Sequence, residues 1–170
     1  EVGVYGAAYR VIDVLVSIPF MFAGIVLPII TFAWAEKNLG RFKNIFQKTF
    51  DVMAMTALPL VIGTQFIAKD VMVLIAGSDF AAAGIALKIL IAAAGFIFLG
   101  SIFSHGIIAI DRQKNIIGAY IFTGVTALAG YLIFIPRYSY LGAAWVTIYS
   151  ELIITMASIY TIWKYANFLP

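Results

Sequence analysis

"YGAAYRVIDVLVSIPFMFAGIVLPIITFAWA", residues 5–35, decides how the rest of the chain is read. As a helix it would reach ~46 Å, which is longer than the ~30 Å hydrocarbon core of a bilayer. It nevertheless holds Arg10 and Asp13, three residues apart, and two prolines, Pro19 and Pro28. Residues three apart lie on one helical face, so the two charges read either as a structural ion pair or as part of a polar cavity. Each proline removes a backbone hydrogen bond and can bend the helix.

The composition points the same way. Hydrophobic residues make up 64% of the 170 residues and charged residues only 11%. Ordinary soluble domains hold about 45–50% apolar and about 25% charged residues, so this chain has too little polar surface to cover a water-soluble body. The expected class is all-α, a polytopic membrane bundle forming a single membrane domain over 1–170. Apolar runs place helices at about 5–35, 46–68, 81–110, 115–135 and 141–165. The chain opens on Glu1 and stops at Pro170 just after an apolar run, so a segment of a longer protein is expected. Pro59 falls inside the second helix. The link "KDVMVLIAGSDF", 69–80, has an apolar middle and reads either as a short interfacial helix or as a packed loop.

The cations are placed unevenly. Of the eleven Lys and Arg, seven lie in the first and third links and at the end of the last helix: Lys37, Arg41, Lys43, Lys48, Arg112, Lys114 and Lys164. Lys69 and Arg137 lie on the other side, and Arg10 and Lys88 inside helices. The excess of positive charge puts the first and third links in the cytoplasm.

Ionisable groups within apolar helices are costly and mark functional candidates. Besides Arg10 and Asp13 these are Lys88, His105 and Glu151. Gly84 and Gly95 flank Lys88 on nearly one face, where small residues admit a close neighbouring helix. His105, in "FSHG", reads first as a packing or interfacial residue. Glu151 falls near the middle of the last helix, and Thr147, Thr155 and Ser158 share its stripe. That stripe is either a hydrogen-bonded interhelical contact or a cavity wall. There is no cysteine and one histidine, so a thiolate metal site is excluded and no metal cluster or cofactor is expected. No G-x-x-x-x-G-K-[ST] loop and no Ser/His/Asp constellation is present, so no enzymatic activity is expected.

Three stretches carry a resemblance. "YGAAYR" leads into "SIPF" and "VLPII" between Val4 and Pro28; "LIAGSDFAAAGIALKIL" and "IPRYSYLGAAWVTIYSE" follow in order. Together they resemble the carboxyl-terminal half of the polysaccharide-biosynthesis flippases of the multidrug/oligosaccharidyl-lipid/polysaccharide exporter superfamily. Ser139 departs from that pattern, standing where a glycine is usual. The helix "IFTGVTALAGYLIFIP" lacks the family's frequent asparagine and has Thr123 and Thr126 nearest. The resemblance implies a two-lobe transporter in the cell membrane. This chain would be part of the second lobe, with the missing amino-terminal lobe of the same protein as a partner. Membrane lipid and a lipid-linked sugar would be the other partners, and nucleic acid is not expected. Arg10 and Lys88 would then meet a lipid pyrophosphate, Asp13 would hold Arg10, and the prolines would let the helices bend. A cation-coupled exporter using Asp13 and Glu151, and a membrane scaffold without transport, are the competing readings.

The orientation has a direct test. Single cysteines at Asn38 and Gln113 are expected to be shielded from an impermeant thiol reagent outside intact cells, and cysteines at Ser78 and Ser139 to react. Labelling of Asn38 from outside inverts the assignment.

Overall fold

The computed structural model describes residues 2–170, and it is helical throughout with no strand among them. The elements are α1 (Val2–Ala35), α2 (Leu39–Ala76), a 3-10 turn (Ser78–Phe80), α3 (Ala83–Ala109) and α4 (Gln113–Ala166). All four helices are long and apolar enough to cross a membrane.

The links are tight. α1 and α2 are joined through Lys37, at a φ of 56°, and Asn38, whose side chain caps α2 by accepting from Arg41 N–H at 3.0 Å. Among the described residues the only ion pair, Arg41 with Glu36 at 3.6 Å, spans this link. α3 and α4 are joined through Asp111, at a φ of 54°. Both links and the end of α4 meet at one end of the bundle, around Phe42, Phe46, Ile107 and Ile162. The cations there spread over aromatic faces. Arg112 lies 4.7 Å from the Tyr165 ring and Lys43 5.5 Å from that of Phe168. The opposite end is sealed by Ala8, Ile12, Met72, Leu87 and Ala144.

Two boundaries differ from the sequence reading. α2 runs to Ala76 rather than stopping near 68, so most of the link with an apolar middle is helix and not a separate interfacial piece. Hydropathy falls at Lys69 and Asp70, but charge does not end a helix. α2 stops where Gly77 takes a φ of 96°, its N–H bonded to Val73 carbonyl. The second difference is in α4: residues 113–166 are two helical arms that meet at Ser139 with no intervening loop, where separate helices at about 115–135 and 141–165 are expected. The fold is at Ser139, at φ 54° and ψ −137°. From there the two arms run antiparallel. Phe134 faces Gly142, Tyr131 hydroxyl bonds Thr147 at 3.2 Å, Tyr149 hydroxyl donates to Thr126 at 3.2 Å, and Asn115 amide donates to Tyr165 hydroxyl at 2.8 Å. The partners thus close in on Ser139 from both sides.

α3 is the centre. In its most apolar stretch 56% of residues are buried, against 22% for α1 and 11% for α2 and for α4, so the other three present most of their surface outward. Small residues bring the neighbours in. A Cβ on Gly84 would lie 2.8 Å from the Lys69 Cα, and one on Gly95 2.9 Å from Val61, so the close neighbour expected beside Lys88 is α2. Farther along the same face, a Cβ on Gly106 would meet the Phe46 ring of α2 at 2.5 Å.

The backbone at Ser139 explains why glycine suits this position: positive φ with ψ far from the left-handed helical well is costly for any residue with a Cβ. Ser139→Gly is expected to keep the hairpin, and β-branched Ser139→Val to destabilise it by roughly 1–3 kcal/mol. Thermal unfolding in detergent measures both; equal stability of the two variants would remove the backbone explanation.

Candidate functional site

On α1, Tyr5, Tyr9 and Asp13 follow one another at intervals of four and so share a face. The Tyr5 and Tyr9 rings are 5.8 Å apart. Tyr5 hydroxyl lies beside Thr147, which Tyr131 also bonds at 3.2 Å. Tyr9 lies within electrostatic range of Asp13, Tyr131 and Glu151. The first turns of α1 and both arms of α4 thus approach one another around Tyr5, Thr147 and Tyr131.

Glu151 is one turn past Thr147 and half-buried. It lines a cavity of about 410 Å³ with Ser101 and Ser104 of α3, Thr123 of the first α4 arm, and Ser150; Phe20 of α1 closes one side. Two of these hydroxyls are engaged with backbone: Ser101 donates to Phe98 carbonyl at 2.8 Å and Ser150 to Thr147 carbonyl at 2.9 Å. The Thr123 hydroxyl, on a residue only 4% exposed, has no hydrogen-bond partner. The cavity therefore holds a carboxylate and an unspent donor.

The stripe on the last helix divides between its two readings. Thr155 is buried and donates to Phe96 carbonyl of α3 at 3.1 Å, so it is an interhelical contact. It packs where α3 has Gly100, whose Cβ would lie 2.6 Å from the Thr155 hydroxyl. Ser158 is fully buried and its hydroxyl is unpartnered. Thr147 belongs to the tyrosine cluster and Glu151 to the cavity.

The basic candidates lie elsewhere. Arg10 and Asp13 are both exposed and do not form the ion pair that their spacing allowed. Arg10 lines a different cavity, of about 770 Å³, between α1 and the end of α2. The residues of α1 that line it are centred roughly 145° around the helix from Tyr5, Tyr9 and Asp13, at about 100° per residue. Lys88 is exposed on α3 and lines neither cavity; its carbonyl accepts from Gln65 of α2 at 3.0 Å. It sits on roughly the opposite side of α3 from Ile97, Ser101 and Ser104. His105 is half-buried, donates through Nδ1 to Ser101 carbonyl at 2.8 Å and packs 6.4 Å from the Phe20 ring, as a packing residue would. α1 continues through Pro19, which is buried, and Pro28, which is exposed; α2 continues through exposed Pro59.

Tyr5, Tyr9, Tyr131, Ser101 and Ser104 were not singled out by sequence reasoning. The spacing of Tyr5, Tyr9 and Asp13 carried the signal for α1, whereas a serine in an apolar helix commonly bonds its own backbone and gives none. Comparison of the chain with protein-family models, with curated proteins and with solved structures gives no match in any of the three.

The two kinds of hydroxyl separate experimentally. Thr155→Val removes a bond between helices and is expected to cost roughly 0.5–1 kcal/mol. Thr123→Val removes an unpartnered hydroxyl and is expected to leave stability unchanged or raise it. Unfolding of both variants in the same detergent checks the contrast.

Proposed function

We propose that this chain is part of a membrane transporter that moves a lipid-linked oligosaccharide or polysaccharide precursor across the cell membrane by alternating access. The reading rests on the ordered resemblance of three stretches to the polysaccharide-biosynthesis flippases. One structural observation supports it: Glu151 stands in a cavity among hydroxyls from α3 and both α4 arms, beside a face of tyrosines and Asp13. In a helix long enough to span lipid, an ionisable side chain is retained where it faces water or a polar ligand. Carboxylates accept hydrogen bonds from sugar hydroxyls, and hydroxyl side chains both donate and accept. Arg10 and Lys88 line no common cavity, which favours recognition of the polar sugar over a joint cationic clamp on the pyrophosphate.

A cation-coupled exporter of the same superfamily is the second reading. The clustering of Asp13 and Glu151 around Tyr9 favours it, since two carboxylates in one region suit a cation.

Glu151 separates the two. In the sugar-lipid transporter Glu151→Gln is expected to keep much of the activity, because the amide still accepts hydrogen bonds, while Glu151→Leu loses it. In the cation-coupled exporter the amide copies the shape but cannot titrate, and Glu151→Gln abolishes transport. The measurement is transport by both variants, normalised to inserted protein, over a range of external pH.

A further inference from the structure

The larger cavity has a different chemistry from the one at Glu151. Its walls are apolar apart from one cation, Arg10, and include Gly3 and Gly6 of α1, Ile75 near the end of α2, and Phe80 of the turn that follows. Its volume of about 770 Å³ lies within the ~300–1,000 Å³ of ordinary ligand clefts. Glycine in a helix usually serves close packing, but a Cβ on Gly3 or Gly6 would meet nothing within 4 Å. Among the described residues no helix packs against these glycines. What they leave is room.

Arg10 is likewise unspent. No carboxylate among the described residues lies within 4.0 Å of it, although Asp13 is three residues away on the same helix. A guanidinium in an apolar groove wants an anion, and its planar fork matches phosphate oxygens in pairs. α2 ends at Ala76, next to the groove, so the groove opens at the end of the bundle, where lipid headgroups would lie. An occupant that suits all three features carries a hydrocarbon chain for the walls and a phosphate for the cation.

We infer that the groove between the first turns of α1 and the end of α2 binds an anionic glycerophospholipid, with its phosphate on Arg10 and an acyl chain over Gly3 and Gly6. An arginine holds a phosphate group by paired charge-assisted hydrogen bonds. The site is separate from the Glu151 cavity and does not depend on what, if anything, the protein transports.

The test is lipid retention, not transport. The protein is placed in phosphatidylcholine nanodiscs doped with a minority of phosphatidylglycerol, released, and its bound lipids counted by native mass spectrometry. The unaltered protein is expected to retain phosphatidylglycerol over phosphatidylcholine. Arg10→Gln is expected to lower phosphatidylglycerol affinity about tenfold, the loss of one charge-assisted contact. Gly6→Leu, whose Cβ would meet nothing within 4 Å, puts a side chain into the groove and is expected to lower retention of both lipids at this site. Helicity and unfolding temperature in pure phosphatidylcholine show that both variants fold. Equal phosphatidylglycerol retention by all three proteins overturns the inference. So does equal retention of the two lipids by the unaltered protein, or a dimer that Gly6→Leu abolishes, since the groove would then be covered by a second copy.

Discussion

The close approach of neighbours to α3 is the constraint on which the rest depends. At Gly84 the backbone of α2 occupies the place of a side chain, and at Gly100 and Gly106 the side chains of Thr155 and Phe46 do so. Lipid tails are as apolar as leucine, so burial alone does not draw such helices together; close packing and interhelical hydrogen bonds do. With α3 held on several sides, the Thr155 hydroxyl reaches the Phe96 carbonyl, and the α4 arm is fixed in rotation. That rotation turns Glu151, one turn earlier, toward Ser101 and Ser104.

The polar groups thereby sort into two surfaces with opposite demands. The tyrosine face and the Glu151 cavity are rich in acceptors and hydroxyls, and suit a partner that donates hydrogen bonds. The Arg10 groove is apolar with one cation, and suits an amphipathic anion. A single helix, α1, serves both because its two faces diverge around its axis. Arg10 and Asp13, close in sequence, are thus divided between them, and neither neutralises the other.

Much of this was legible in the sequence, and the reasons for the rest are physical. Apolar length placed the helices, and the spacing of Lys37, Arg41, Arg112 and Lys164 gathered them at one end, where the structure also has them. Gly84 and Gly95 announced a close neighbour. The extent of α2 was hidden because hydropathy reports where lipid would end, not where backbone hydrogen bonds end; only Gly77 ends those. The tightness of the turn in α4 was hidden by Pro136 and the aromatic run after it, which read as a loop although one residue, Ser139, makes the turn. The partition of Arg10 from Glu151 was beyond any local pattern, since helix rotation is set by contacts many residues apart, such as Thr155 with Phe96.

The folded-back α4 has a consequence for assembly. Asn115 with Tyr165, Thr126 with Tyr149, and Tyr131 with Thr147 are polar rungs between its arms. Thr126 and Thr147 bond carbonyls of their own arm, but each arm alone would carry its tyrosine hydroxyls, and the first arm the Asn115 amide, without these partners, at a cost for every group. Closed on each other, the arms spend them internally before any other helix arrives. The hairpin is therefore cheaper to insert as one unit than as two successive spans, and it carries its register into the membrane already set.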